Sequence, residues 1–206
     1  MRRSIVAAVA VVGLTLGPAP ARAIQLTLVQ EQLYSSVEAV PPSANRMMVC
    51  YGFVCRLRVF LYFSAAERAA LTNIMAKGKA SAAEERKALQ QAFVWFDRRV
   101  GREVGTDRRV ARADFRFRDD DHNFDCYDTT RNAVSLLLVL REWGLLRHHT
   151  IEDPVHRAKV LIGQTPHNSA VIKEKAGGKA WVVDMWTTKF GQVPDVMTVE
   201  KWMDED

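Results

Sequence analysis

The chain has few cysteines and none of the periodicity that marks a repeat protein. Its 206 residues include only three cysteines, at positions 50, 55 and 126. No second cysteine pair and no histidine pair stands at the spacing of zinc ligands, and no internal repeat or low-complexity tract is present. These absences exclude a zinc-finger module and a repeat array, and they leave one domain with a hydrophobic core as the expected architecture.

Long apolar runs are also lacking beyond the N-terminus. Two arginines precede the apolar run 4–17, two prolines end it, and Ala21-Arg22-Ala23 has the small residues of a cleavage site. A membrane-spanning helix needs about 20 apolar residues, more than this run supplies. We interpret residues 1–23 as a cleavable secretory signal, with an uncleaved membrane anchor as the alternative. The mature protein is therefore expected in the periplasm or outside the cell, with no membrane span.

The mature chain has little net charge. The formal charge is +5, but the signal contains three arginines and no acidic residue, which leaves +2 for residues 24–206, the expected single domain. Arginines are concentrated at 98–118, where acidic residues interleave with them. This pattern predicts a solvated surface of mixed charge and disfavours nucleic acid as a partner.

Two of the three cysteines are close in sequence, and we expect a disulfide between them. Cys50 and Cys55 flank Gly52, which permits a tight turn, and so small a loop closes easily. An oxidising compartment favours their pairing. Cys126 would then be the one free thiol.

Local patterns predict helices in the first half of the chain. Residues 24–45 look extended or loop-like, and 46–63 have the composition of a strand. Capping boxes at Ser64 and Ser81 predict helices that end near residues 76 and 104. Residues 105–122 are polar and predict a long loop.

The second half predicts one buried helix followed by a sheet. Residues 126–143 are apolar nearly all round, as in a central helix, and Gly144 suits its end. Short strands are expected at 150–151, 160–162, 169–173 and 180–185, with a turn at Gly177-Gly178 and a helical turn at 198–203. We therefore predict an α+β fold, in which the central helix packs on an antiparallel sheet and additional helices precede it.

Cys126 stands at the first turn of that helix, with Asp125 as a suitable N-cap. Backbone N–H groups and the helix dipole favour a thiolate at this position, and the same N–H groups can hold an oxyanion. The charge of Asp125 partly offsets this effect. The position predicts a nucleophile.

A nucleophilic cysteine needs a base, and the base needs an orienting partner. His167 stands out among the five histidines because it opens a predicted strand. The turn at Gly177-Gly178 would pair residues near 171 with residues near 184, which brings Asp184 beside the start of that strand. A carboxylate in so apolar a strand needs a partner, and the imidazole would supply it.

Three motifs in this order resemble those of bacterial transglutaminase-like cysteine proteinases. Residues 124–128, Phe-Asp-Cys-Tyr-Asp, resemble the Asp-Cys-x-Asp motif, while 167–171 and 182–185 resemble the histidine and acid strands. The resemblance covers about 120–190. The chain also resembles, more loosely, a group of exported bacterial proteins that share the strand with two cysteines.

The resemblance implies a papain-like or transglutaminase-like fold and assigns roles to individual residues. Cys126 would be the nucleophile, His167 the base and Asp184 the orienting acid, and Asp128 would have a structural or ion-binding part. The family commonly has Gly where Phe124 stands. No side-chain oxyanion donor is evident, and Asn123 is the candidate.

Calcium is the one cofactor that the acidic segment before the helix suggests. Asp119, Asp121 and Asp125 alternate as at the start of an EF-hand loop, and Asp128 follows them. The loop lacks the glycine at its sixth position and the glutamate at its twelfth. We expect no cofactor, with calcium as a weak alternative.

The motifs together imply a thiol-dependent peptidase or amidase acting on a peptide or protein in the cell envelope. A transglutaminase-type acyl transferase would use the same triad. A non-catalytic envelope protein that keeps the fold for binding or structure is the third possibility.

Overall fold

The structure, a computed structural model, describes residues 24–158 and 166–205, so the expected signal 1–23 and the expected strand 160–162 lie outside it. Within the described residues it contains five α-helices and two antiparallel sheets, and the predicted α+β class is confirmed. The helices are α1 (Leu28–Ser35), α2 (Ala65–Ala76), α3 (Ala82–Val104), α4 (Cys126–Glu142) and α5 (Val199–Asp204). The strands are β1 (Arg46–Tyr51), β2 (Leu57–Tyr62), β3 (His149–Arg157), β4 (His167–Glu174), β5 (Ala180–Asp184) and β6 (Asp195–Thr198).

Helix α4 is the centre of the molecule, as its apolar sequence predicts. Asp125 caps it by accepting a 2.7 Å hydrogen bond from the Asp128 N–H, and Gly144 follows its end with a positive φ of 69°. The helix contacts β1 on one side and β4 on the other. Burial of its apolar side chains therefore joins both sheets in one core.

The second sheet has the strand order β3-β4-β5-β6. The turn at Gly177 and Gly178 connects β4 to β5, and both glycines have the positive φ that such a turn requires. Val171 pairs with Val182, two residues before the partner that the sequence suggested. Residues of alternate parity along β4 face α4 and α5, because side chains of a strand alternate between its faces.

The segment 46–63 is a hairpin of β1 and β2 rather than a continuous strand. The predicted disulfide joins Cys50 to Cys55 and closes the connecting loop. Phe53, Val54 and Cys55 all have positive φ, so three consecutive non-glycine residues are left-handed. We call residues 52–55 the disulfide loop.

Of two expectations about the first half of the chain, one is wrong, and the solvated surface expected at 98–118 has one buried arginine. Residues 24–45 contain α1, which begins with a capping box between Thr27 and Gln30 that the sequence analysis overlooked. Arg109 is not on a solvated surface, because its guanidinium is buried in a bidentate pair with Asp97 at 3.0 and 2.9 Å. Helix α1 accepts a hydrogen bond from Arg131 of α4 at the Leu33 carbonyl, and Arg109 donates to the Thr188 carbonyl. Each feature therefore joins segments that are far apart in the chain.

The helices predicted from Ser64 and Ser81 are confirmed as α2 and α3, and the expected closing turn is α5. Strand β6 was not predicted. No helix among residues 24–158 and 166–205 is long and apolar enough to cross a membrane.

Candidate active site

Cys126 lies at the floor of a groove of about 620 Å³ at the N-terminal end of α4. Its thiol is free, and the residue is 9% exposed. We call this the thiol groove, and its large apolar lining residues are Phe53, Val54, Phe115, Tyr127 and Trp186. Pockets that bind small organic ligands have volumes of about 300–1,000 Å³, and the thiol groove lies within this range.

The acidity of the Cys126 thiol differs from the expectation based on its position in the helix. Burial raises its pKa to about 11, and the negative charges of Asp125 and Asp184 act in the same direction. Hydrogen bonds from Asn168 lower the pKa but do not overcome the burial. The resting group is therefore a thiol, and the expected bias toward a thiolate is wrong for this state.

His167 and Asp184, predicted to be partners, are hydrogen-bonded at the end of the second sheet. The distance between His167 Nε2 and Asp184 Oδ2 is 2.5 Å, and both residues are almost completely buried. An ionised carboxylate can only accept, so Nε2 is the donor in this hydrogen bond. In the neutral imidazole, this bond leaves the lone pair on Nδ1.

The other ring nitrogen of His167 is unoccupied. Among the described residues, Nδ1 is buried and has no hydrogen-bond partner, so thiol and imidazole are not hydrogen-bonded here. A buried polar atom without a partner is costly, and each one needs a physical explanation. Nδ1 is therefore the ring nitrogen of His167 that the contacts within the described residues leave available.

Two tryptophans enclose that pair. The ring centroids of Trp186 and Trp202 lie 4.4 and 5.3 Å from that of His167. Trp202 Nε1 also donates to Asp184 Oδ2 at 2.9 Å, while the Trp186 backbone N–H donates to Oδ1 at 3.1 Å. The carboxylate is therefore held on both oxygens, which fixes the orientation of the imidazole.

Trp202 is a site residue that the sequence analysis missed. It lies on α5, eighteen residues after Asp184, and it is 1% exposed. A tryptophan in a short C-terminal helix gives no local signal of a role near His167. Only the packing of α5 on β5 and β6 brings the indole to the carboxylate.

Asn168 makes the hydrogen bond to the sulfur that the structure shows. Its Nδ2 lies 3.6 Å from Cys126 Sγ, and its Oδ1 lies 2.8 Å from His156 Nδ1. The contact with His156 orients the amide so that its N–H group faces the thiol. This amide can stabilise negative charge on sulfur or on a bound carbonyl oxygen.

Asn123, the oxyanion candidate from the sequence, has a structural position instead. Its Oδ1 accepts from the Val110 N–H, and its Nδ2 donates to Asp120 Oδ2, each at 2.9 Å. Its backbone carbonyl accepts from the Gly52 N–H at 2.9 Å. These bonds join the long loop to the disulfide loop. The side-chain amide that contacts the Cys126 sulfur belongs to Asn168 and not to Asn123.

Asp125 and Asp128 hold the disulfide loop against α4. Asp128 accepts from the N–H groups of Phe53 and Cys55 at 2.9 and 2.6 Å, and Asp125 accepts from Val54 at 2.9 Å. The left-handed backbone of the loop directs these three N–H groups to the carboxylates. Asp128 therefore has a structural part, which is one of the two roles expected for it, the other being ion binding.

The weak calcium candidates are engaged with protein groups. Asp121 pairs with Arg56 at 2.5 Å, and Asp119 lies 3.4 Å from Arg118. Within the described ranges, no group of three or more histidine, cysteine or acidic side chains is arranged to hold a metal ion. The carboxylates of Asp125 and Asp128 already accept backbone N–H groups.

The sequence motifs thus converge on one corner of the fold, where the start of α4 meets the start of β4 and the end of β5. Comparison of the chain with models of protein families, with curated proteins and with solved structures gives no match. The site is therefore interpreted from its own geometry and from the resemblance of its motifs.

Proposed function

We propose that this protein is an exported, thiol-dependent peptidase or amidase of the transglutaminase-like type, with Cys126 as nucleophile, His167 as base and Asp184 as orienting acid. The observation that carries the proposal is the state of His167. Its Nε2 is fixed by Asp184, its Nδ1 is buried without a partner, and the next residue, Asn168, contacts the sulfur. This arrangement supports proton transfer from Cys126.

The raised pKa of Cys126 determines how the reaction begins. Because the resting group is a thiol, His167 Nδ1 removes the proton as the sulfur bonds to the substrate carbonyl carbon. The N–H groups at the start of α4 and the Asn168 amide stabilise the oxyanion. Hydrogen bonds of this kind often form only when substrate is bound, which agrees with the open Nδ1.

The remaining steps return the site to its starting state. The oxyanion collapses, the carbon–nitrogen bond breaks, and the leaving amine takes the proton from His167. A water molecule then gives a proton to His167 and attacks the thioester. The carbon–sulfur bond breaks, the acid leaves, and His167 returns its proton to the sulfur, which restores the Cys126 thiol. Asp184 stabilises the transient imidazolium charge throughout without exchanging a proton.

The compartment is part of the proposal. A Cys50–Cys55 disulfide is characteristic of proteins that fold in an oxidising environment, and the N-terminal sequence has the composition of a secretory signal. A substrate in the cell envelope follows from this location.

The test is hydrolysis of a mixed pool of short peptide coumarinamides by the purified protein. We expect wild-type activity, its loss in Cys126→Ala and His167→Ala, and its retention in His148→Ala, a matched change outside the site. Adding hydroxylamine converts part of the thioester to a hydroxamate, so formation of the hydroxamate reports the acyl-enzyme. Equal activity in wild type and Cys126→Ala would overturn the proposal.

The rival proposal is a non-catalytic envelope protein. The observation that favours it is the burial of Cys126 with its raised pKa and the absence, within the described chain, of a hydrogen bond between the thiol and His167. This reading expects no hydrolysis of the pool and no difference between wild type and the two site variants.

A further inference from the structure

Three of the large hydrophobic side chains that the molecule exposes border the thiol groove. Val54, Phe115 and Tyr127 are 58%, 73% and 46% exposed, and all three line the groove above Cys126. A contiguous patch of exposed apolar side chains is typical of a surface that binds a ligand or a partner, and this patch surrounds a cavity. Buried Phe53 and Trp186 continue the apolar surface inward.

The charged residues of the groove have partners on the protein itself. Arg56 pairs with Asp121 at 2.5 Å, and Arg118 with Asp119 at 3.4 Å. The rest of this set is also engaged, since Asp114 pairs with Arg116 at 2.7 Å and Asp125 accepts backbone N–H groups from Val54 and Asp128. The charges of these groove residues are therefore already offset by groups of the protein, whereas the apolar walls of the groove are left uncovered.

We propose that the thiol groove selects a large, uncharged apolar side chain next to the amide bond that Cys126 attacks. The inference rests on the proposed function and adds the substrate class to it. Burial against the apolar walls supplies the affinity, and an acidic or basic side chain would lose hydration against the same walls. Phe115 is the most exposed of the wall residues, so its side chain offers the largest exposed fraction for a bound apolar group to cover.

The test measures alkylation of Cys126, which does not require hydrolysis. Wild-type protein is treated with iodoacetamides that carry a phenethyl, aminoethyl or carboxyethyl group on nitrogen. Mass spectrometry gives the rate for each, which is divided by the rate of the same reagent with glutathione. We expect the phenethyl reagent to be favoured by about tenfold or more over both charged reagents, as burial of one aromatic group predicts.

Two surface variants localise the effect. Phe115→Ala should reduce the preference for the phenethyl group by about threefold or more, because it removes one wall of the groove. Tyr62→Ala is the matched control, since Tyr62 is 60% exposed and lies on β2 outside the groove. Both variants change exposed side chains, so the fold should be retained, and circular dichroism checks it.

The outcomes separate this inference from the proposed function. An apolar preference without hydrolysis of any peptide would support the groove and contradict the enzyme. Hydrolysis with equal normalised rates for all three reagents, or a preference that Phe115→Ala leaves unchanged, would overturn the inference alone. Failure of every reagent to label Cys126 in the folded protein would also overturn it, because the groove would not lead to the sulfur.

Discussion

The backbone N–H of Cys55 donates a 2.6 Å hydrogen bond to Asp128, so the disulfide loop is attached directly to the helix that begins with Cys126. Val54 makes a corresponding bond of 2.9 Å to the helix cap, Asp125. These bonds satisfy two buried carboxylates, which would otherwise destabilise the fold. The disulfide hairpin is therefore a structural part of the candidate site, and it also supplies Phe53 and Val54 to the groove.

Removing the disulfide should weaken this attachment. For Cys50→Ala combined with Cys55→Ala, we expect the free energy of unfolding to fall by about 2 kcal/mol or more, because a short loop is no longer closed in the unfolded chain. Urea denaturation measures the change, and Cys126→Ser, which keeps the disulfide, is the control. An unchanged unfolding midpoint in the double variant would contradict this role of the loop.

Asp128 should make stability depend on pH in an unusual direction. Burial, together with the charge of Asp125, raises the pKa of Asp128 to about 7. An unfolded aspartate has a pKa of about 3.9, so only the folded state holds the proton between about pH 4 and 7. The stability that this proton provides is present below about pH 4 and is lost as the pH rises through about 7.

Asp128→Asn removes this titration. We expect wild type to lose stability relative to Asp128→Asn by up to about 1 kcal/mol per pH unit across that range. Urea denaturation at several pH values measures both proteins, and Asp119→Asn, at an exposed carboxylate, should follow the wild-type profile. Parallel profiles for wild type and Asp128→Asn would show that Asp128 does not titrate in this range.

Trp202→Phe should weaken the positioning of His167 by Asp184 while it keeps an aromatic side chain in the core. The change keeps an aromatic ring and removes the N–H that donates to Asp184 Oδ2. Loss of one buried hydrogen bond to a carboxylate costs roughly 1–3 kcal/mol, so we expect turnover to fall by about tenfold. The proton NMR signal of His167 Nε2–H should also shift.

Trp186→Phe is the matched control for this change. It removes an indole N–H that donates to the Ala113 carbonyl at 3.0 Å and has no bond to the carboxylate. An equal shift of the His167 signal in both variants would show that the effect comes from ring packing and not from the bond to Asp184.

Asn168→Ala should raise the pKa of the Cys126 thiol further. Burial raises that pKa to about 11, while the N–H groups of Asn168 act in the opposite direction. Removing the side-chain donor therefore moves the pH profile of iodoacetamide alkylation to higher pH. His156→Ala keeps the Asn168 amide and should give a smaller shift, whereas an unchanged or lower pKa in Asn168→Ala would show that the amide does not stabilise the thiolate.

Much of the site could be predicted from short-range signals. The cap at Asp125 precedes its helix directly, and the turn at Gly177 and Gly178 brings Asp184 back toward His167. Each of these signals involves neighbouring residues or one hairpin, where chain connectivity limits the possible arrangements. The pair Cys50 and Cys55 is local for the same reason.

Tertiary packing decided the features of the site and the core that depend on segments far apart in the chain. The sequence by itself determined the central helix, the disulfide and the order of Cys126, His167 and Asp184. The acidity of the thiol, the indole of Trp202 on Asp184 and the burial of Arg109 with Asp97 depend on segments far apart in the chain. Burial and charge act through space, so a local pattern that favours a thiolate at a helix start is outweighed where the folded chain removes water from the sulfur.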